Sequence, residues 1–335
     1  MTNARAGKKV GRESGRAADF QWGKIIGVKC RRILTLMASI VLISISVAGC
    51  GQESDRSAVE RPGKSTEWTA ETVDLPPYLS VSGETSFGDD FYYIGYTGTE
   101  SAFEAKIYRM DMGEAAPVPV ELPYRSDQDL DREEYLDLAI DAEGNLVLLT
   151  GQSAVNGGDP AITDVTWKRI DQEGGVVATG SVMEYFADTA YPVPTGMAID
   201  GAGNLYFYQG KILVVVDKAG ALLMETTVEN DITSIFTDQS GAVNLLAFNV
   251  NINTMEVYTI DPVAGAAELS YSLPQGEVYF DVVGNDDGNL VLISDRGVYD
   301  FLVDTQAINT RLEWSSINIS TDYMGRFLPL SDGRM

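Results

Sequence analysis

The stretch Ala139-Ile140-Asp141-Ala142-Glu143-Gly144-Asn145-Leu146-Val147-Leu148 runs apolar residues into Asp-x-x-Gly-Asn and straight back out into apolar residues. This order predicts two short strands joined by a tight hairpin. Asp at the first turn position bonds the backbone two residues on, and Gly supplies the positive φ the turn requires. The phrase recurs. Ala198-Ile199-Asp200-Gly201-Ala202-Gly203-Asn204-Leu205-Tyr206-Phe207 is a second copy, and Val283-Gly284-Asn285-Asp286-Asp287-Gly288-Asn289-Leu290-Val291-Leu292 is another. Between them lies a weaker version, Phe236-Thr237-Asp238-Gln239-Ser240-Gly241-Ala242-Val243-Asn244-Leu245. Further strand-like runs fill the intervals, such as Ile212–Val216 and Leu222–Thr227. About four short strands fall to each copy, with a period of roughly 40–50 residues, and that is the pattern of a β-propeller blade.

Working outward, an earlier blade is expected from about Leu79, with Gly88-Asp89-Asp90-Phe91-Tyr92-Tyr93 as its first turn and second strand and Tyr108-Arg109-Met110 in its third. Leu328-Pro329-Leu330-Ser331-Asp332-Gly333-Arg334-Met335 reads as the start of one more copy and stops in mid-turn. The expected fold is all-β: a β-propeller of about five four-stranded blades plus part of a sixth. A propeller must close its ring, because an open edge invites association. Closure is expected from a segment near Trp68–Leu75, or else the chain is a truncated form of something longer. A β-sandwich, the competing fold, leaves the spacing unexplained.

Upstream, Lys29, Arg31 and Arg32 precede an apolar run from Ile33 to Val47, which ends in Val47-Ala48-Gly49-Cys50. Basic head, short apolar stretch and small residues make an export signal. The run is shorter than the roughly 20 residues a membrane-spanning helix needs. Its end resembles the lipobox of bacterial lipoproteins. The resemblance implies that Cys50 is acylated, that the peptide before it is removed, and that lipid holds the protein on the extracytoplasmic face of the cell membrane. Because such signals carry a short basic head, translation is expected to begin nearer Val28. Three regions follow: leader and signal peptide 1–49, a Ser-, Gly- and charge-rich flexible tether 50–66, and the propeller domain 67–335.

The chain has 24 basic and 49 acidic residues and a net charge of −25, and the part after Cys50 carries 15 and 47. So acidic a chain lacks the positive footprint of a nucleic-acid binder. Charge cannot bring it to anionic lipid either, so the membrane contact falls to the acyl group. There is no His, and the two Cys are Cys30 in the leader and Cys50. Ser-His-Asp and Cys-His catalysis in their usual forms, thiolate metal sites and internal disulfides are thereby excluded from the domain. No cofactor is expected.

The lipobox, the polar tether, the opening Phe87-Gly88-Asp89-Asp90-Phe91-Tyr92-Tyr93 and the Ile-Asp-x-x-Gly-Asn-Leu-Tyr blades together resemble extracellular solute-binding lipoproteins of Gram-positive bacteria. In those, a propeller-like region precedes a binding-protein domain that delivers solute to an ABC importer. The resemblance runs from about Lys29 to the end. It implies an ABC importer as partner, while the binding-protein domain itself is absent from this sequence.

The Asp-x-x-Gly-Asn turns admit a calcium reading, but turns that satisfy their own backbone explain the same residue types. Asp127-x-Asp129-x-Asp131 opens like an EF-hand loop, yet Arg132 stands at the Gly position and Leu138 at the bidentate Glu position, so it reads as a solvated acidic loop. In a propeller the loops leading into the innermost strands gather round one mouth. These loops carry Glu133, Glu134, Asp231, Glu277 and Asp281, together with Tyr135, Tyr191, Tyr279 and Tyr323. The candidate ligand site is Glu134, Tyr135, Tyr191, Asp231, Tyr279 and Tyr323. Tyr with a few carboxylates suits a neutral or cationic polar ligand such as a glycan, a peptide or a protein surface. Tyr packed between blades is the competing use of the same residues. Three functions fit: a lipid-anchored binding or interaction module without catalysis, the N-terminal part of a transport lipoprotein, and a carboxylate-dependent glycan-active enzyme.

Cys50→Ala is expected to release the protein from the membrane fraction and block removal of the leader. Fractionation and intact-mass measurement check this, and an unchanged, membrane-bound, processed variant would refute it.

Overall fold

The computed structural model describes residues 80–313, apart from 100–101, 115–117, 125–132, 157–158, 190, 239–240, 276 and 285–287. The leader, Cys50, the tether and the closing copy at Leu328 lie outside the described residues. The described chain forms five four-stranded antiparallel sheets in sequence order. Blade 1 is β1 (Ser80–Phe87), β2 (Asp90–Thr99), β3 (Ala102–Asp111) and β4 (Val120–Glu121). Blade 2 is β5 (Glu133–Ile140), β6 (Leu146–Asn156), β7 (Asp159–Ile170) and β8 (Val176–Ser181). Blade 3 is β9 (Gly196–Ile199), β10 (Leu205–Gln209), β11 (Ile212–Val216) and β12 (Leu222–Thr227). Blade 4 is β13 (Asp231–Thr237), β14 (Val243–Asn249), β15 (Thr254–Asp261) and β16 (Ala266–Ser272). Blade 5 is β17 (Tyr279–Gly284), β18 (Leu290–Ser294), β19 (Gly297–Leu302) and β20 (Ala307–Glu313). The first strands β1, β5, β9, β13 and β17 adjoin one another in turn. They are the innermost strands, and the arrangement is a β-propeller. No helix among the described residues is long and apolar enough to cross a membrane.

The middle strands of each blade read as apolar runs because both faces are covered. In β6, Leu146 and Leu148 pack toward blade 1 with Ile94 and Ile107. The alternate residues Val147 and Leu149 pack toward blade 3 with Leu205 and Phe207. Blade 3 repeats the division. Its Phe207 and Val214 face blade 2, while Tyr206, Leu213 and Val215 meet Leu245 and Tyr258 of blade 4. Leu246 and Val257 of blade 4 then meet Leu292 and Phe301 of blade 5. Trp167 anchors the joint between blades 2 and 3 at 1% exposure. A Cβ at Gly180 or Gly220 would lie 2.8 Å and 3.0 Å from its ring, so the indole fills its slot completely.

The turns between first and second strands are built as their residues require. Asp141 Oδ1 accepts the N–H groups of Glu143 and Asn145 at 3.1 and 2.8 Å, and its Oδ2 accepts the Asn145 side-chain amide at 3.0 Å. Asp200 does the same for Ala202 and Asn204, with the Tyr206 hydroxyl as a further donor at 2.9 Å. The same chemistry also closes turns between third and fourth strands. Asp171 Oδ1 accepts from Glu173 and Gly175, and Asp217 Oδ1 from Ala219 and Ala221. Backbone donors at Ala221 and Ala219 hold the Asp217 carboxyl below its usual range. Asp-x-x-Gly occurs in both sets: the turns at Asp141 and Asp200 add the following Asn, while Asp238 closes its β13–β14 turn without it.

Buried polar groups tie successive blades. Arg169, 6% exposed, donates from Nη1 to Asp141 Oδ2 and from Nη2 to the Gly203 carbonyl of blade 3, both at 2.8 Å. Gly203 has φ +85°, and a Cβ there would stand 3.3 Å from Arg169 Nη1. Gly203→Val is therefore expected to cost about 1 kcal/mol or more through backbone strain, with further loss from the displaced guanidinium. Urea denaturation of the variant beside Ala202→Val, on the exposed part of the same turn, checks this. Equal midpoints would contradict it.

Candidate functional site

All first strands run in the same sense, so each blade presents its turns at one end and its remaining loops at the other. The Asp turns occupy the first end. The second end, the mouth, collects the hairpins between second and third strands and the connections from one blade to the next. Two of those hairpins project. β6 and β7 are 11 and 12 residues long against 5 and 5 for β10 and β11, and they continue past the last β5 pairing at Glu133. β2 and β3 likewise run on beyond Tyr96, where β1 begins.

Glu134, Tyr135, Tyr191, Asp231 and Tyr279 all lie at this mouth end, on three first strands and one connection; Tyr323 is outside the described residues. They differ in what they present. Glu134 and Asp231 are exposed, and Tyr191 is 63% exposed in the connection from β8 to β9. Tyr135 and Tyr279 are buried. The Tyr135 ring packs in the joint between blades 1 and 2, and its carbonyl accepts the Tyr96 hydroxyl at 2.7 Å. Tyr279 packs between blades 4 and 5, edge-on to Tyr299. Its hydroxyl is buried without a hydrogen bond among the described residues. Burial first, then the charge of Glu277, pushes that hydroxyl up to about 12. These two rings, expected to offer flat surface to a ligand, instead fill blade joints. The reason is a bulge: pairing of the first strand shifts between Tyr135 and Asp137 and again between Tyr279 and Asp281. A bulge breaks the two-residue alternation and re-aims the residues before it.

The mouth carboxylates divide in the same way. Glu133 pairs with Lys168, its side chain 1% exposed, and Glu277 pairs with Arg296. Asp137 is 4% exposed. Its Oδ1 accepts the Leu138 N–H, and its Oδ2 accepts the N–H of Met197 in blade 3, both at 2.9 Å. Asp281 occupies the same place in blade 5 and accepts from Val282 at 3.0 Å. Tyr-x-Asp followed by an aliphatic residue, present at Tyr135 and at Tyr279, is the sequence signal for this device.

One cluster escaped the sequence reading. Glu256, 4% exposed, accepts Asn249 Nδ2 at 2.9 Å, Asn230 Nδ2 at 2.6 Å and the Tyr258 hydroxyl at 3.0 Å. It fastens the connection before β13 to the hairpin Asn249–Thr254. Burial, then the bond to Glu256, raises the Tyr258 hydroxyl above its usual value. The signal is a Glu inside the buried run Met255–Tyr258.

No family model matches the chain, and no curated protein matches it. Solved structures do. A catalytically inactive virginiamycin B lyase from Staphylococcus aureus, with quinupristin, is 13% identical over 68% of each chain with a TM-score of 0.41. A putative 6-phosphogluconolactonase from Bacteroides uniformis is 10% identical over 72% of this chain and 87% of its own, with a TM-score of 0.41. Sqt1 from Saccharomyces cerevisiae is 14% identical over 73% of this chain and 64% of its own, with a TM-score of 0.42.

Asp137→Ala strands two buried N–H groups on neighbouring blades. It is expected to destabilise by about 3 kcal/mol, read as a lowered urea midpoint, whereas Glu134→Ala on the next exposed position moves it little. The opposite ranking would show that Asp137 does not hold the joint.

Proposed function

We propose that this chain is a lipid-anchored, non-catalytic binding module of the cell surface, and that its ligand docks at the mouth. The observation that carries the reading is the division of labour there. Among the buried groups at the mouth, Asp137 and Glu256 are taken up by structural bonds, and Glu133 pairs with Lys168 through Oε1. Exposed groups stand on separate elements: Tyr191 on the connection from β8 to β9, Glu134 on β5 and Asp231 on β13. A catalytic pair needs carboxylates free to accept and return protons, and Asp137 and Glu256 are held on both oxygens by N–H, amide or hydroxyl donors. An exposed Tyr ring at the same end as exposed carboxylates suits stacking on a sugar face or on an apolar peptide side chain, with acceptors for hydroxyl or ammonium groups. The net charge of −25 disfavours anionic ligands and raises the local concentration of cationic ones. Anchoring through Cys50 would present this face outside the cell.

A screen of neutral glycans and basic peptides against the chain is expected to yield ligands. Tyr191→Ala combined with Asp231→Ala should weaken them by about tenfold or more, a loss of about 1.4 kcal/mol, with the melting temperature unchanged. Undiminished binding would move the site away from the mouth. Turnover of a bound glycan, abolished by Glu134→Gln, would replace the reading with an enzymatic one.

A further inference from the structure

In blades 3 and 5 the mouth hairpins between second and third strands close with two residues, 210–211 and 295–296. Blade 4 inserts two more: Asn249 pairs with Thr254, and 250–253 lie between them. The insertion reads Val250-Asn251-Ile252-Asn253. Its polar residues suffice for the turn. Asn249 Oδ1 accepts the Asn251 N–H at 3.1 Å, and Asn253 takes the left-handed conformation at φ 51°, which Asn tolerates. Its aliphatic residues stand in water, Val250 at 73% and Ile252 at 47% exposure. The loop is nonetheless fixed from below. Asn249 Nδ2 donates to the buried Glu256, whose other oxygen takes Asn230 and the Tyr258 hydroxyl. Beside it the Leu273 N–H donates to the Met255 carbonyl at 2.8 Å. A buried carboxylate is costly unless donors surround it, so the clamp is an expensive way to hold a turn that positions nothing. The charge around the loop is of one sign. Glu229, Asp231 and Asp295 are exposed on the neighbouring mouth elements. The cations there are engaged, Lys211 with the Glu229 carbonyl and Arg296 with Glu277.

We propose that Val250 and Ile252 form a fixed pair of aliphatic contacts for a partner polypeptide, which meets them with an apolar segment flanked by Lys or Arg. The inference rests on the reading of the mouth as the binding face and narrows its ligand to polypeptide. Two aliphatic side chains without a hydrogen-bonding tip gain little against a hydroxylated sugar, whereas Tyr or Trp would serve there. Against apolar peptide side chains the same two residues lose their exposure to water, which is favourable in proportion to the area covered. Lys and Arg beside that segment match the surrounding carboxylates, which favours this partner over neutral or acidic ones and speeds its arrival. A loop already held in place loses little freedom on binding, so less of the contact energy is spent on ordering it.

Short synthetic peptides of alternating Lys and Leu, Lys and Ser, and Glu and Leu, titrated against the full chain, test this. The Lys–Leu peptide is expected to bind. Val250→Ser combined with Ile252→Ser should weaken it by about tenfold or more, at an unchanged melting temperature because both positions are exposed. The Lys–Ser and Glu–Leu peptides should each bind about tenfold more weakly or worse, since each lacks one half of the match. No binding of the Lys–Leu peptide, equal binding of the Lys–Ser peptide, or full affinity in the double variant would overturn the proposal. If Tyr191→Ala weakens the Lys–Leu peptide while the double variant does not, the mouth remains the binding face and only this inference fails. If neither weakens it, both fail. Binding to phosphatidylcholine vesicles that the double variant abolishes would assign the pair to a lipid surface, and self-association that it abolishes would assign it to a second copy of this chain. Either outcome overturns the proposal.

Discussion

Burial of both faces of every blade is the constraint on which the rest of this structure depends. A single four-stranded sheet of this size, apolar on both sides, cannot remain in water, and it is stable only between two others. Leu146 and Leu148 pack one way and Val147 and Leu149 the other, and the same division recurs in blades 3, 4 and 5. Each fully buried aliphatic or aromatic side chain contributes about 1.5–3 kcal/mol, so the joints supply most of the favourable free energy. The joints also make the ring cooperative. A cavity at Trp167 loosens blades 2 and 3 together, because the indole is shared between Gly180 of one and Gly220 of the other.

Apolar joints alone would let blades slide along one another, since the hydrophobic effect has no direction. Direction comes from a few buried polar groups with one satisfactory geometry each. Arg169 reaches from the turn of its own blade to the Gly203 carbonyl of the next. Asp137 takes the Met197 N–H on the inner edge. Ile232 N–H donates to the Gly210 carbonyl at 2.8 Å, linking blades 3 and 4 at the mouth. An unmade bond in such surroundings costs the full desolvation of the group, so each contact sets the register of a joint. The same requirement commits the central carboxylate of Asp137 to architecture.

The turn phrase was legible because its interactions are local. Asp141, Gly144 and Asn145 satisfy one another within five residues, so their chemistry predicts the hairpin whatever surrounds it, and the copies at Asp200 and Asp238 follow the same logic. Strand order and the all-β class came with the repeat, as did Ile212–Val216 and Leu222–Thr227, which are β11 and β12. The mouth was legible only as a place. That Glu134, Tyr191 and Asp231 meet solvent while Tyr135 and Tyr279 do not could not be read from their order.

Alternation marks a face only when one face is polar. In strands covered on both sides every position is apolar, so the sequence carries no sign of which joint a residue enters, and a bulge between Tyr135 and Asp137 then reverses the parity of what precedes it. Contacts such as Asp137 with Met197 or Glu256 with Asn230 join residues far apart in the chain, and no local propensity encodes them. The sequence by itself determined the repeating unit, its turns and its acidic, His-free surface, because those rest on chemistry within a few residues. Which side chains fill joints, which tie blades and which remain at the mouth was decided by tertiary structure, because both faces of each strand compete for burial and only the packed ring settles the competition.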